Sequence, residues 1–493
     1  MKAKQYTILI VALCLPATAA ARPYTLDEIL AMARKGNPGL AAGAQATAGI
    51  QAQLLEARRN YYPTGELNSF LAQAPEIRCY DSNNQRNEYN CTNTGEETVG
   101  VGTEGFLKGI TPKGIFTRTE VKLIQPIYTF GKISAGVAAA ESGVKASQNR
   151  QFGLVADLEL NVRKAYWGAK LAREILATLT EGRGYLEKAQ KKVEDDLTEG
   201  TGEASVTDRL RLRTMRAEIE ARILEAKRMS DLAHGGLRAL VGPNAPPDLD
   251  VDEDAIAAVQ VRDRPLADYE NAALQSRPEV KALENMVAAK RELAEVEWRR
   301  QYPDIVLIGT AAYAYASSVD TPHNAFANNP FHTLGAGLAA GFRMPLDLGQ
   351  KNARAAKLRA EAEEAEQKRR EALSGISFEV EKAHTELKEA EDRMKVVKAG
   401  EKAGRQWIAA IAQNQALGLS ESRDFSDALL AFFQARIRYL QSMYDYNVAA
   451  ASLTRATGVD VSSRAGYQAH LPANAEIMRL SGSRGEALRE RVL

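Results

Sequence analysis

The sequence has little of what enzymes and membrane-spanning helices are built from. Among 493 residues there are three cysteines, five histidines and only 6% aromatics. His234, His323, His332, His384 and His470 share no ligand spacing and the cysteines form no metal motif, so metal catalysis has no support. No Ser/His/Asp arrangement can be inferred, and no cofactor is implied. Residues 100–105 match G-x-G-x-x-G literally, but they follow a polar loop and open no helix, which excludes the dinucleotide reading. Lys and Arg (64) balance Asp and Glu (63), so no basic surplus points to nucleic acid. Long apolar runs are also missing. Residues 305–319 are uncharged but fall short of the ~20 a spanning helix needs, and 321–342 are interrupted by Pro322, Asn328, Asn329 and Pro330. Only helices and closed barrels satisfy the backbone in lipid, so if this chain enters a membrane it does so as barrel strands.

What is present is the composition of long helices: 45% hydrophobic residues with Ala, Leu, Glu, Lys and Arg dominating long stretches. Residues 1–21 read as a secretory signal peptide. Lys2 and Lys4 precede an apolar centre at 8–15, then Pro16 and small residues, with cleavage options after Ala19 or Ala21. Cys14 is discarded with it. Cys79 and Cys91 remain in an Asn-rich stretch; in an exported chain such a pair reads as a disulfide closing a short loop, worth about 3 kcal/mol, with two free thiols as the alternative.

The chain is written twice. Asn37-Pro38 and Tyr62-Pro63 recur as Arg277-Pro278 and Tyr302-Pro303. Gly131-Lys132 is answered by Gly349-Gln350, and Leu237…Gly242 by Leu453…Gly458. In the first half Val155, Leu158, Val162, Ala165, Ala169, Ala172, Leu176 and Leu179 step by three and four. Val380, Ala383, Leu387, Ala390, Met394 and Val397 do so in the second. Helices over 132–197 and 350–416 would each be ~100 Å long. Shorter seams, from Leu212 to Ala226 and from Leu430 to Ala451, follow turns at 199–202 and 415–420, so each half closes a long antiparallel helical hairpin. Trp167, Trp298 and Trp407 fall on these helices and read as packing residues.

Period two appears ahead of each long helix. Ile115, Thr117, Thr119, Val121 and Leu123 alternate with Phe116, Arg118, Glu120 and Lys122, the pattern of a barrel strand with its charged face toward a wet lumen. Strands are expected at about 66–74, 115–125, 304–316 and 332–344. Tyr61, Tyr62 and Tyr302 stand where an interfacial aromatic belt would lie. Four strands cannot close around an aqueous lumen, so several chains must contribute.

This doubled order, with Gln125-Pro126-Ile127-Tyr128 leading into Gly131-Lys132, resembles the TolC-like outer membrane efflux protein family over roughly 24–458. The resemblance implies a mainly α fold. Long helical hairpins form a periplasmic tunnel, and four strands per chain enter a shared outer-membrane β-barrel of a homotrimer, in contact with outer-membrane lipid. It also implies a channel-tunnel of a tripartite efflux or type I secretion system, partnered by a periplasmic adaptor (membrane fusion) protein and an inner-membrane transporter. The expected layout is signal peptide 1–21, first repeat 22–242, linker 243–265, second repeat 266–458 and a flexible periplasmic tail 459–493. The first repeat's hairpin covers about 132–241 and the second's about 350–457.

The resemblance reaches single residues at the hairpin tips. Gly202 is followed by Thr207-Asp208, and Gly418 by Asp424 and Asp427. By resemblance Thr207 and Asp208 belong to the network that closes the periplasmic mouth, and Asp424 and Asp427 form acidic rings that select cations. Spacing alone reads these acids as helix caps. Gln415 and Ser420 stand where some relatives carry a gate Tyr and Arg, with Arg423 a possible substitute. Gly200, Thr201, Gly202, Leu417, Gly418, Leu419 and Ser420 are the expected adaptor-docking tips. The rival reading is a periplasmic coiled-coil adaptor without a pore, against which the alternation at 115–123 speaks.

Overall fold

The computed structural model describes residues 23–75, 78–80, 83, 85–86, 93–95, 112–199, 205–321, 330–416 and 422–462. The expected signal peptide, Cys91 and the turn residues 200–202 and 417–420 lie outside these residues, while Glu199, Gln415 and Ala416 end their helices. The elements are α1 (Leu26–Gly36), α2 (Pro38–Arg59), β1 (Thr64–Pro75), β2 (Arg78–Tyr80), β3 (Asn93–Gly95), β4 (Pro112–Tyr128), α3 (Lys132–Glu199) and α4 (Val206–Val241). There follow α5 (Leu266–Ser276), α6 (Pro278–Arg299), β5 (Asp304–Ala316), β6 (Thr333–Arg343), α7 (Leu348–Ala416) and α8 (Ser422–Thr457). The duplication is visible in their lengths: α1 and α5 are both 11 residues, α2 and α6 both 22, and α4 and α8 both 36.

Two compact units divide the chain. The first comprises the described residues within 23–48, 147–283 and 369–462. Its helices start and stop for local reasons. Thr25 and Glu28 form a capping box on α1. Asn37 accepts the Gly39 and Leu40 N–H groups at 2.8 and 3.2 Å, opening α2, and its Nδ2 donates to the Leu240 carbonyl at 2.8 Å. The Asn-Pro motif therefore turns the chain and ties α1 to the end of α4. There Gly242, at φ +98°, brings its α-carbon so close to the Gly36 carbonyl that a Cβ would stand 2.3 Å from that oxygen. The core follows the predicted seams: Val155, Leu158, Val162, Ala169 and Leu179 of α3 are buried with Leu212, Ile219, Ile223 and Ala226 of α4. Val380, Ala383, Leu387 and Ala390 of α7 pack with Leu453 and Ala450 of α8. Trp167 is buried as expected, whereas Trp407 is 46% exposed and is no core residue of this chain.

The connector between the repeats is more ordered than its Pro- and Asp-rich composition suggests. Leu249, Val251 and Ile256 are buried, and the Tyr24 N–H donates to the Asp250 carbonyl at 2.9 Å. Arg173 (2.6 Å) and His234 Nε2 (2.9 Å) hold the Asp250 carboxylate. Desolvation opposes its charge, but hydrogen bonds from His234 and the Val251 N–H, with Arg173 nearby, keep its pKa below the ordinary value. The expected flexible tail from 459 needs correction at its start: Val459 and Val461 are buried, and Ser462 bridges to Val261. Apolar residues at alternate positions there find a place against the connector, a contact that local composition does not reveal.

The second unit comprises residues 49–146 and 284–368. It contains an antiparallel sheet in the order β1-β4-β5-β6 and a separate two-stranded pair, β2-β3. β1 and β4 run one to three residues past 66–74 and 115–125 at each end, because ladder pairing continues past the alternating stretch, and β6 stops one residue inside 332–344 at each end. The β2-β3 pair was not anticipated.

Candidate functional site

Two places could serve transport: the sheet and the hairpin tips. In the sheet, register decides which side chains share a face. Glu66 pairs with Lys122, Lys122 with Thr310 and Thr310 with Gly337, so one face carries these together with Arg118 and Glu120. One residue along, Leu67, Val121, Ala311 and Ala336 form a row of the opposite face, which also carries Leu71, Ile115, Leu123, Tyr313, Leu334, Leu338 and Phe342. Leu334, Leu338 and Phe342 are 88%, 81% and 77% exposed. Ser69, Gln73, Thr117 and Thr119 interrupt this face, but its Leu, Tyr and Phe side chains dominate; such a surface is costly to leave in water and suits lipid. The other face, with Arg118 and Glu120 3.3 Å apart, suits a hydrated lumen.

The two outermost strands, β1 with 12 residues and β6 with 11, each have one neighbour in the sheet. With four antiparallel strands they run in opposite directions, so β6 of one copy can continue the ladder on β1 of another without a change of pattern. Among the described residues, no helix is long and apolar enough to cross a membrane and no group of side chains could hold a metal ion.

At the tips, Gly200, Thr201, Gly202, Leu417, Gly418, Leu419 and Ser420 lie outside the described residues, as do the side chains of Gln415 and Arg423. Thr207 is exposed in the first turn of α4. Asp208 completes a capping box there: its Oδ2 accepts from Ser205 Oγ at 2.5 Å and from the Ser205 N–H at 3.1 Å. Its carboxylate is thus engaged at its own helix end, the local role that spacing alone suggested. Asp424 is exposed in the first turn of α8, where the helix dipole favours it, and has no partner among the described residues. Asp427, one turn on, is paired with Arg211 of α4. Asp424 and Asp427 are therefore not equivalent: one is open to solvent, the other is neutralised within its own chain.

Arg211 was not anticipated, although a signal existed. It precedes Asp427 by 216 residues, the offset that relates α4 to α8, so the pair joins corresponding positions of the two repeats. A second missed feature is the end of α3. Glu194, Asp195, Asp196 and Glu199 crowd its last turns with no basic residue, against the preference of a helix C-terminus for cations. They add negative potential close in sequence to the first tip. Cys79 is buried and disulfide-bonded.

Comparison with known proteins agrees with this geometry. Residues 270–459 match the family described as Outer membrane efflux protein. A search of curated protein sequences found no match. Among solved structures, the Campylobacter jejuni CmeC outer membrane channel is similar with a TM-score of 0.72 at 15% identity, over 92% of this chain and 89% of that one. The outer membrane protein VceC from Vibrio cholerae aligns with a TM-score of 0.67 at 15% identity, over 88% and 96% of the two chains. The open state of the Neisseria gonorrhoeae MtrE outer membrane channel aligns with a TM-score of 0.65 at 16% identity, over 89% of each.

Proposed function

We propose, for a chain that carries the outer membrane efflux protein family's sequence over 270–459 and the fold of outer-membrane channels over most of its length, that it is an outer-membrane channel-tunnel for efflux. The observation that carries this reading is the four-stranded sheet, with one apolar face, one charged face and two outer strands of opposite direction. Three copies would close it into one barrel whose apolar band meets lipid and whose charged rows line water. The long hairpins then supply the periplasmic tunnel. A pore-free adaptor has no use for a sheet whose exposed face is Leu, Tyr and Phe.

The tips around Gly200-Thr201-Gly202 and Leu417-Gly418-Leu419-Ser420 are the docking points for a periplasmic adaptor, which couples the channel to an inner-membrane transporter. Thr207, Asp208, Asp424, Asp427 and Arg211 form the periplasmic mouth. The Arg211–Asp427 pair holds α4 against α8 in the closed state, and three exposed Asp424 carboxylates ring the entrance and favour cations. Cys79 pairs with Cys91 in the connection after β1. Cargo class is set largely by the transporter.

Membrane fractionation with detergent extraction tests the reading. The protein should resist salt and alkaline washes and run as a trimer in detergent. Release by alkali as a monomer would support the adaptor reading instead.

A further inference from the structure

The sheet's charged face is open along most of its length but covered at one end. Glu66 and Asn68 on this face are exposed, whereas Ala74 and Ala316, which register assigns to the same face through Gly114 and Phe116, are each 1% exposed. The covering segment is 317–320, just past β5. Ser318 lies against Gly114 so closely that a Cβ on that glycine would meet its Oγ at 2.0 Å, and the Ile115 N–H donates to Ser317 Oγ at 3.0 Å. Val319 packs with Ala74 and Ala316, and Phe116 and Phe331 close over them. Phe116 also meets Phe70 and Phe331 edge to face, with centroids 5.8 and 5.6 Å apart.

The segment is held down by one carboxylate. Asp320, 5% exposed, accepts from Arg78 Nη1 at 2.8 Å, from Arg86 Nε and Nη2 at 3.1 and 2.7 Å, and from the Cys79 N–H at 3.2 Å. Burial alone would raise its pKa, but the Arg86 and Arg78 guanidiniums and the Cys79 amide outweigh it and hold the carboxyl at about 2. Both arginines come from the connection after β1, on the far side of the sheet order from the β5–β6 connection. Two separate strand connections are thus fastened together. The carboxylate is the buried member, Arg78 and Arg86 being 27% and 52% exposed, and a buried charge left without its partners is strongly destabilising.

We propose that residues 317–320 are a latched lid across the barrel's outer mouth, with Asp320, Arg78 and Arg86 as the latch and Phe70, Phe116, Phe331 and Val319 as an apolar constriction beneath it. The inference rests on the channel reading above, in which the charged face lines the lumen. The channel is then closed at both ends: electrostatically at the periplasmic tips, and at the outer end by an apolar layer that repels water and hydrated solutes. Opening for export requires the latch to yield, independently of the tips.

Thr310→Cys places a thiol on the lumen face below the lid, since Thr310 pairs with Lys122. Intact cells carrying this variant are treated from outside with a membrane-impermeant maleimide on a polyethylene glycol chain, with and without Asp320→Asn. Loss of the latch should raise the labelling rate by about tenfold or more. Equal rates would overturn the lid. If Asp320→Asn does not assemble, Arg78→Gln with Arg86→Gln, which removes the latch from its exposed side, makes the same comparison. Planar-bilayer conductance of the same proteins separates the two readings. Pores with equal labelling overturn the lid alone, whereas no pores even when Asp320→Asn is combined with Arg211→Ala, which loosens the tips, overturn the channel.

Discussion

Breaking the Arg211–Asp427 pair is the perturbation whose size can be worked out most directly. The two side chains are 33% and 42% exposed, so water screens their attraction and each pair contributes about 0.2–1 kcal/mol. Three copies around one mouth give about 0.6–3 kcal/mol in favour of the closed tips, a shift of roughly 3-fold to 150-fold in the open-to-closed ratio when all are removed. Arg211→Ala and Asp427→Ala should each produce most of this shift, and the double variant little more, because either change removes the same contact. Exchanging the charges, Arg211→Asp with Asp427→Arg, should restore closure. The assay is open probability of the purified trimer in planar bilayers at about 0.1 M and 1 M salt. The screening length falls from about 10 Å to about 3 Å across that range, so the difference between wild type and variants should shrink. A charge exchange that fails to restore closure, or an effect that survives unchanged at high salt, would refute the bridge.

Asp424 and Asp427 should differ in selectivity. Asp424→Asn removes a charge with no partner among the described residues and should lower cation preference more than Asp427→Asn, whereas Arg211→Gln, which unmasks Asp427, should raise it; reversal potentials in a salt gradient report all three. The two faces of the sheet should tolerate charge unequally: Leu338→Arg, on the face assigned to lipid, should cost about 2–4 kcal/mol per chain and block outer-membrane assembly, while Thr310→Arg on the other face should assemble. Equal assembly of both would reverse the assignment of faces. Asp320 sets an acid limit on the lid. Because its pKa in the fold is depressed from 3.8 to about 2, pairing contributes fully above pH 3.8 and is lost as pH falls through about 2, a loss of roughly 2 kcal/mol. Conductance should therefore be unchanged at external pH 4.5 and rise near pH 2, and a rise complete by pH 4.5 would contradict the latch.

The helical part of the fold was legible because it is repetitive and local. Seams at 155–179 and 380–397, closing runs at Leu237…Gly242 and Leu453…Gly458, and the proline-marked starts of α2 and α6 all rest on contacts within a few turns or on a signal that occurs twice. Strand faces were legible for the same reason, since alternation at 115–123 is a local pattern. What escaped was long-range. Arg78 and Arg86 meet Asp320 across 242 and 234 residues, and nothing in the polar stretch around them announces that they fold back over the sheet. Arg211 was hidden differently: its partner sits at the repeat offset, but repeats normally place like residues at like positions, and here Arg answers Asp. Asp208 shows the converse, a residue singled out by resemblance whose carboxylate is engaged in a cap that spacing alone had suggested.

The central claim is that several copies of this chain form a water-filled, cation-preferring pore. Single-channel recording of the purified, folded trimer with the outer lid released by Asp320→Asn is the test, beside the same protein carrying Arg211→Ala/Asp427→Ala to loosen the tips or Asp424→Ala/Asp427→Ala to strip the acidic ring. Cation-selective openings are expected, more frequent in the first variant and less selective in the second. A folded trimer that passes no current in any of the three, at any voltage, would contradict it.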